Sequence, residues 1–253
     1  MVKPSTVGRV VLKIALIISI SQLLILLVLG NIPHTMQGRT VEFTHLAFLA
    51  FLNMVLLVLT TSPVIYFWVI NPFVKARDDA ISKATHLAHY DQLTNLGNRR
   101  LIYQNLEKIK AQCDRRKVFG AILLIDLNKF KPINDEHGHD AGDAILISVA
   151  EQLMNTVRSE DVVGRFGGDE FVVLISHLDN DEQISKNKAL TIVEKLQTAI
   201  GISIEFDGIE LKVGSSIGIC LFKENESSND ELIKRADIAM YQAKKTNEKV
   251  AVY

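Results

Sequence analysis

The chain has 253 residues and a formal net charge of -1, with no dominant basic stripe, so nucleic acid is excluded as an expected partner. The two cysteines, Cys113 and Cys220, are too few and too far apart for a disulfide framework or a CxxC metal site. Apolar residues crowd the first 70 positions, whereas the remainder has the mixed composition of globular domains. We therefore expect two regions that fold in different environments.

Two apolar stretches predict a membrane anchor with two transmembrane helices, at about 10–30 and 46–70. The first contains IALIISISQLLILLVLG and the second is LAFLAFLNMVLLVLTTSPVIYFWVI. Each is long enough to cross a hydrocarbon layer of roughly 30 Å as a helix, and Tyr66 and Trp68 suit an interfacial belt. The alternatives are a pair of buried core helices or, for the first stretch, a cleaved signal peptide.

Basic residues flank these stretches on their outer sides, while the loop between them carries only Arg39. The flanking residues are Lys3, Arg9 and Lys13 before the first stretch, and Lys75, Arg77 and Lys83 after the second. The positive-inside rule therefore predicts that both termini are cytoplasmic. The short loop leaves no room for an external sensor domain.

Residues 71–88 read as a helical linker, and residues 89–253 as a domain in which helix and strand signals alternate. Apolar residues recur at helical spacing in three segments: Ile102, Leu106, Ile109 and Cys113; Leu146, Val149, Ala150, Leu153 and Val157; Ala189, Val193, Leu196 and Ile200. Asp140 or Asp143 is expected to cap the second helix. A capping box, Ser228 to Glu231, opens a fourth helix.

Short apolar runs predict the strands of the domain. They are VFGAILLID, DVVGRF, EFVVLI, ISIEF, IELKVGSSIGIC and KVAVY. Gly167-Gly168 and Asp207-Gly208 lie between such runs and predict hairpins, because a tight primed turn needs positive φ at both central residues. The fold class is therefore α+β, with helices surrounding a central, mainly antiparallel sheet.

Three carboxylates are predicted at the ends of neighbouring strands: Asp126 at the end of AILLID, and Asp169 and Glu170 after the glycine pair. Three such groups close together would repel one another without a cation. Oxygen ligands without a nearby His or Cys cluster suit a hard ion such as Mg²⁺, shared with substrate phosphates. A polar turn that merely faces water is the alternative for GGDE alone.

Several spaced segments together resemble the GGDEF domain of diguanylate cyclases, whose fold is palm-like. The segments are DQLTNLGNRR (91–100), DLNKFKPINDEHGHDAGDAIL (126–146), RFGGDEF (165–171), SSIGI (215–219) and ADIAMYQAK (236–244). The resemblance covers residues 89–253. Because the motifs occur in order over the whole region, chance is a poor explanation.

The resemblance implies that two GTP molecules condense to cyclic di-GMP and two pyrophosphates. Each GTP is held by one protomer of a homodimer, so the protein would be a nucleotidyltransferase with Mg²⁺ (or Mn²⁺) as cofactor. The implied location is the bacterial cytoplasmic (inner) membrane, with lipid around the anchor. Cyclic di-GMP is expected both as product and as inhibitor.

The resemblance also assigns residues to these roles. Metal ligands are Asp126, Asp169 and Glu170 through carboxylates and Leu127 through its carbonyl. Asp169 or Glu170 is the catalytic base, and the sequence leaves the choice open. Residues expected to bind the nucleotide are Phe130, Lys131, Asn134, His139, Asp143, Gly167, Gly168 and Lys244. Arg158 and Asp161, in RSED, match the family's inhibitory RxxD site.

Asp143 has a physical reason for its assignment, since a carboxylate can accept from guanine N1-H and the exocyclic amine together, a donor pair that adenine lacks. The main departure from the family lies after Lys244, where Asn247, Glu248 and Lys249 replace the usual Gly-Arg-Asn. Glu248 cannot replace a phosphate-binding arginine, although Lys249 can compensate. Asn128 replaces an aspartate often found there, which removes one negative charge.

Two other functions compete with this one. A receptor could bind cyclic di-GMP at Arg158 and Asp161 without catalysis, but such receptors are expected to lose the metal and base residues, which remain here. A related cyclase or polymerase-like palm could use another nucleotide, which Asp143 disfavours. No GxxxxGK[ST] loop is present, so a P-loop NTPase is not supported. The Gly- and Pro-free linker from Phe73 to His89 is expected to set how two catalytic domains face each other.

Overall fold

A computed structural model of the chain describes residues 4–30, 43–223, 227–246 and 248–253. The chain divides into two compact units, Met1–Ala84 and Thr85–Tyr253. Lys3, Arg39 and Asn247, which entered the sequence predictions, lie outside the described residues.

The N-terminal unit is helical. It contains α1 (Pro4–Gly30), α2 (Phe43–Ile65), a π-helical turn (Tyr66–Ile70) and the first part of α3 (Asn71–His89). The π turn ends two residues before Pro72, whose ring nitrogen has no hydrogen to donate to the preceding turn. The backbone nevertheless stays helical from Phe43 to His89.

By length and composition, one helical stretch of the described residues, Ala50–His89, can cross a membrane. The stretch Leu12–Ile25 in α1 is apolar but shorter. The two transmembrane helices predicted at about 10–30 and 46–70 are thus matched by one candidate of sufficient length, which overlaps the second prediction. Trp68 is 73% exposed.

The C-terminal unit is built on a six-stranded sheet of order β1-β3-β4-β2-β7-β8. The strands are β1 (Gly97–Asn98), β2 (Gly120–Asn128), β3 (Val162–Gly167), β4 (Glu170–Ile175), β7 (Gly214–Phe222) and β8 (Val250–Val252). The central pairs are antiparallel, whereas β1 with β3 and β7 with β8 are parallel. The sheet is therefore mixed, with an antiparallel centre as predicted and parallel edges that were not.

Helices cover both faces of this sheet. They are α4 (Arg99–Arg116), α5 (Phe130–His137), α6 (His139–Thr156), α7 (Glu182–Ile200) and α8 (Asn229–Thr246). Along β2, Leu123 and Ile125 join the apolar core under α6 and α7, whereas Ile122 and Leu124 join the core under α4 and α8. This alternation follows from the pleat of a strand, and it directs Asp126 to the α4 and α8 side.

Side-chain caps define several of the helix starts. The Asn98 side chain accepts a hydrogen bond from Leu101 N-H at 3.1 Å at the start of α4, and Ser228 Oγ accepts one from Glu231 N-H at 3.2 Å at the start of α8. The cap predicted for α6 is wrong. That helix follows Gly138, which has a positive φ of 86°, so Asp140 and Asp143 lie inside the helix.

The two predicted hairpins differ in their turns. Asp207 and Gly208 join β5 (Ile204–Phe206) to β6 (Ile209–Leu211), and both have the positive φ of a primed turn. The run predicted to continue from Ile209 to Cys220 breaks before β7, so β5 and β6 form a separate small sheet. Between β3 and β4, Gly167 pairs with Glu170, so the loop is Gly168-Asp169 and not the predicted Gly167-Gly168.

The two cysteines are free and buried. Burial raises the pKa of both Cys113 and Cys220 to about 11, and Cys113 Sγ donates to the Ser176 carbonyl at 3.0 Å. Both are therefore neutral thiols at physiological pH.

Candidate active site

Two carboxylates face each other across neighbouring strands. Asp126 on β2 is the register partner of Glu170 on β4, so both side chains lie on the same face of the sheet. Asp126 is only 8% exposed, and Glu170 is half-buried. Sequence alone left open which residue of the Asp169-Glu170 pair meets Asp126, and the register shows that it is Glu170.

A cation from α8 lies on this acidic pair. Lys244 Nζ donates to Asp126 Oδ1 at 2.8 Å, while the lysine side chain remains 51% exposed. The hydrogen bond to Asp126 is the main reason that the pKa of Lys244 is raised, and the charges of Asp126, Asp169 and Glu170 add to it. The site therefore attracts and holds positive charge.

The surroundings of Glu170 change the pKa of its carboxylate. Its pKa is raised first by burial and then by the negative charges of Asp126, Asp237 and Asp169, while Lys244 opposes the rise. Asp237 on α8 was not among the predicted site residues. Its position two helical turns before Lys244 places both on one face of α8, a signal that the sequence did contain.

The hairpin loop presents the third acid. Asp169 follows Gly168 in the turn, and its carbonyl accepts a hydrogen bond from Leu127 N-H at 3.2 Å. Gly167 and Gly168 have positive φ values of 147° and 53°, and a Cβ added at either position would point into open space. Only glycine adopts such conformations readily. The surface above the loop is thus open to a ligand.

Arg165, which was not among the predicted site residues, holds this loop in place. Its guanidinium donates to the Gly168 carbonyl from Nη2 at 2.7 Å and from Nε at 3.0 Å. It also donates to Asp91 Oδ1 at 2.9 Å, and its side chain is only 12% exposed. Asp91 accepts two further hydrogen bonds from Thr94, through N-H and Oγ1. The turn before Asp169 is therefore tied to the segment that follows α3.

Residues predicted to bind the nucleotide lie on α5 and α6. Asn134 packs against α6 at Gly142, where an added Cβ would lie 1.9 Å from Asn134 Oδ1. Any larger residue at Gly142 would displace this amide. His139 and Asp143 are exposed and one turn apart on α6. Because α5 begins two residues after β2 ends, these helices continue directly from the strand that carries Asp126.

The other predicted binding residues have simpler surroundings. Phe130 packs against the core under α6 and α7, and Lys131 is exposed. Glu248 and Lys249 are also exposed. The Lys249 carbonyl accepts hydrogen bonds from Ile217 N-H at 3.1 Å and Gln197 Nε2 at 2.6 Å, which fixes the backbone at this edge of the sheet.

The RxxD residues form a tight turn between α6 and β3. Asp161 accepts hydrogen bonds from Arg158 N-H at 3.3 Å and Ser176 N-H at 3.1 Å. The Arg158 guanidinium is exposed, and its nearest acid is Glu160 at 3.9 Å. Asp161 is thus fixed by the backbone, while the Arg158 side chain extends into solvent.

An open groove of about 630 Å³ runs along the acidic pair. Asp126, Glu170 and Lys244 line it together with residues of α8, which include Asp237 and Tyr241. Among the described residues, no three His, Cys, Asp or Glu side chains are grouped closely enough to hold a metal ion by themselves. The donor set still fits a hard cation, because Asp126 and Glu170 face each other with oxygen ligands and Asp126 already binds the ammonium group of Lys244.

Glu170 gives a stability prediction with a defined sign. Because its pKa is raised in the fold, the ionised form destabilises the folded state; this cost is absent below the unfolded-state pKa and complete above the folded-state pKa. In EDTA at about pH 7.5, Glu170→Gln is expected to raise the thermal unfolding temperature slightly. The gain in free energy should stay below about 1 kcal/mol, because the site is partly solvated.

The gain should vanish at about pH 4, where most of the unfolded chain's glutamates are protonated. Added Mg²⁺ should raise the unfolding temperature of the unmodified protein more than that of the variant. Glu194→Gln, at an exposed position on α7, serves as a control and should show neither effect. A variant less stable than the unmodified protein in EDTA at pH 7.5 would contradict the assignment of repulsion to this pair.

Comparison with known proteins gives the family. The family model described as "Diguanylate cyclase, GGDEF domain" matches residues 88–249. The chain is 40% identical over 158 residues to the bifunctional diguanylate cyclase/cyclic di-GMP phosphodiesterase MucR of Pseudomonas aeruginosa. The aligned segment is 62% of this chain and 22% of MucR. The chain therefore spans about a fifth of the length of this relative, which is also named as a phosphodiesterase.

Solved structures agree with this assignment. The crystal structure of the GGDEF domain of TpbB from Pseudomonas aeruginosa matches with a TM-score of 0.58 and 33% identity, over 63% of this chain and 97% of that chain. A microbial GGDEF domain studied with cyclic di-GMP matches with a TM-score of 0.54 and 27% identity, over 67% of this chain and 99% of that chain. The chain belongs to the diguanylate cyclase GGDEF-domain family.

Proposed function

We propose that this protein is a diguanylate cyclase that condenses two GTP molecules into cyclic di-GMP and two pyrophosphates. The observation that carries the proposal is the Asp126–Glu170 pair, which lies face to face beside Lys244 at an open groove. Members of the family that lack catalysis have no need to keep two repelling carboxylates in register. The opposed carboxylates therefore favour synthesis over simple binding.

Asp126 and Glu170, with the Leu127 carbonyl and Asp169 beside them, would hold Mg²⁺ (or Mn²⁺). When bound, this ion supplies charge neutralisation at the phosphate under attack. Lys244 adds a mobile positive charge at the same place, since its side chain is half exposed. Gly167 and Gly168 leave the space above the loop open to the nucleotide.

Asp169 is our candidate for the general base. The side chain of Glu170 is directed to Asp126, whereas Asp169 belongs to the loop itself. A carboxylate outside the facing pair keeps the capacity to accept the 3′-hydroxyl proton. Its backbone is held by the Leu127 N-H bond, which restricts where that carboxylate can lie.

Guanosine would be bound by the α5 and α6 residues. Asp143 offers two acceptor oxygens to the N1-H and amine of guanine, and it is exposed one turn after His139. Asn134 is held against Gly142, which fixes its amide for a contact with the nucleoside. Phe130 and Lys131 begin α5 shortly after Asp126 in the sequence, with Lys131 as a phosphate contact.

The reaction requires two nucleotides from two copies of the chain, so the active form is a homodimer. We assign residues 1–70 as a membrane anchor, 71–88 as the helical linker and 89–253 as the catalytic domain. Large apolar side chains exposed on α1 and α2, among them Leu23, Phe51 and Leu59, support contact with lipid. The basic flanks support a cytoplasmic catalytic domain at the bacterial inner membrane.

Product inhibition is assigned to Arg158 and Asp161. The exposed Arg158 guanidinium is available for the phosphates or guanine of cyclic di-GMP. Asp161 is already engaged with the backbone at Ser176, so its contribution is to position the turn. The solved complex of a related domain with cyclic di-GMP supports this ligand class.

One experiment tests the function and its rival. The full chain, purified in detergent, is incubated with GTP and Mg²⁺, and the products are separated by chromatography. We expect cyclic di-GMP and pyrophosphate in a 1:2 ratio, with no cyclic product from ATP and inhibition by added cyclic di-GMP. Tight cyclic di-GMP binding without any synthesis would replace the proposal with the receptor function. Recovery in the washed membrane fraction of expressing cells tests the anchor.

A further inference from the structure

A second cation, Arg99, lies at the same end of the strands as the acidic pair. Strand β1 runs parallel to β3 with Asn98 opposite Arg165. Arg99, the next residue after β1, therefore lies beside the end of β3 that leads into the hairpin. Its guanidinium carbon lies 5.4 Å from the Phe166 ring centroid and 5.6 Å from that of Tyr103. Cation-π attraction to both rings holds the group at this position.

Polar contacts also orient this arginine. Arg99 Nη2 donates to the Tyr103 hydroxyl at 3.3 Å, and that hydroxyl donates to Asp230 Oδ1 at 2.7 Å. The arginine is nevertheless exposed. A guanidinium has five N-H donors, and within the described part of the chain only the Tyr103 bond uses one of them. The remaining donors are available to a ligand.

The place of Arg99 on its helix is electrostatically unfavourable. Arg99 and Arg100 open α4, whose first turn contains no acidic residue. Positive charge at a helix N-terminus is opposed by the helix dipole, so neither arginine is explained by helix stability. An anion at this position would be attracted by the guanidinium and by the N-terminal N-H groups together.

Arg99 and Lys244 approach the acidic pair from opposite sides. β4, which carries Glu170, lies between β3 and β2 in the sheet, with Arg99 over Phe166 of β3 and Lys244 on Asp126 of β2. The pKa of Arg99 is raised mainly by the Tyr103 hydrogen bond, with smaller contributions from the negative charges of Asp230 and Glu170. Because β3 pairs with β4, the Arg99 guanidinium over Phe166 lies on the Glu170 side of the acidic pair.

We infer that Arg99 binds a phosphate group of GTP on the Glu170 side of the site. This inference rests on the proposed function, in which two nucleotides meet and two phosphate chains need positive charge. The planar fork of a guanidinium matches phosphate oxygens. The Arg99 guanidinium also supplies positive charge near the hairpin. This chain lacks another positive charge of the family, because Glu248 occupies the position where the family has an arginine.

The test compares Arg99→Gln, Arg99→Lys and the neighbouring Arg100→Gln in the full chain. Calorimetry with Mg²⁺ measures the binding of 3′-deoxy-GTP, which cannot condense because it lacks the attacking hydroxyl, and of guanosine, which has no phosphate. Turnover of GTP is measured in parallel. Arg99→Gln should weaken 3′-deoxy-GTP binding by about 10- to 100-fold, the effect of losing one charge-assisted hydrogen bond. Guanosine binding should not change, Arg99→Lys should lose less, and Arg100→Gln should match the unmodified protein.

A fall in kcat for Arg99→Gln but not for Arg100→Gln, with unchanged nucleotide affinity, would also support the inference and assign the phosphate to the nucleotide on the other copy. Equal binding and turnover in Arg99→Gln and the unmodified protein would overturn it, and so would an equal loss of guanosine affinity. If the unmodified protein binds 3′-deoxy-GTP but makes no cyclic di-GMP, the proposed function fails and the binding measurements alone decide on Arg99. If the unmodified protein did not bind the nucleotide at all, both the proposed function and the inference about Arg99 would be contradicted.

Discussion

Asp126→Asn is expected to lower kcat for cyclic di-GMP formation by about 100- to 1000-fold, the cost of removing one preorganised group at the centre of developing charge. The substitution keeps the shape of the side chain but removes the charge that pairs with Lys244 and faces Glu170. The site would lose a metal ligand and the anchor of its lysine together. Initial rates of pyrophosphate release at saturating GTP measure the effect.

The fold should tolerate this change. Lys244 is half exposed and can be hydrated when its partner is lost, and Glu170 is relieved of a neighbouring charge. The thermal unfolding temperature of Asp126→Asn should therefore not fall. Glu210→Gln, an exposed carboxylate on β6, should keep full activity. If Asp126→Asn retained more than about a tenth of the activity, Asp126 would not be at the reacting centre.

Asp169→Asn should reduce kcat by about 100- to 10,000-fold with little change in KM, as expected for the loss of a general base. The amide preserves the loop, because the Leu127 N-H bond goes to the backbone carbonyl and not to the side chain. Nucleotide binding should therefore persist while proton transfer is lost. Steady-state kinetics at several GTP concentrations separate the two parameters.

A comparison with Glu170 tests the division of labour between the two acids. Glu170→Gln should weaken the response to Mg²⁺, because Glu170 faces Asp126. Asp169→Asn should raise the concentration of Mg²⁺ for half-maximal activity less than Glu170→Gln does, because Asp169 lies in the loop beside the facing pair. The reverse pattern, with Mg²⁺ dependence altered only by Asp169→Asn, would exchange the two roles.

Local signals predicted most helices of the C-terminal unit. The apolar spacing of Ile102, Leu106 and Ile109 gave α4, and all three residues are buried. The capping box at Ser228 gave the start of α8, because cap chemistry involves residues close in sequence. The helix α5 was not predicted, since its eight residues contain Pro132 and show no clear apolar period.

Pairings over long sequence distances were harder to obtain. β1 has only two residues, too few for any alternation to be recognised, so the parallel pair with β3 could not be foreseen. The same limit applies to Arg165, whose partner Asp91 lies 74 residues earlier. Nothing in RFGGDEF distinguishes an arginine that clamps its own turn from one that faces solvent.

The sequence by itself determined the family, the C-terminal unit and the three carboxylates Asp126, Asp169 and Glu170, because those depend on residue type and motif order. Only the tertiary structure decided which of Asp169 and Glu170 faces Asp126. Side chains alternate along a strand, so a register shift of one residue would have directed Glu170 to the other face of the sheet. Gly167 pairs with Glu170 through an irregular step after Arg165, and that long-range pairing places Glu170 opposite Asp126 and leaves Asp169 in the turn.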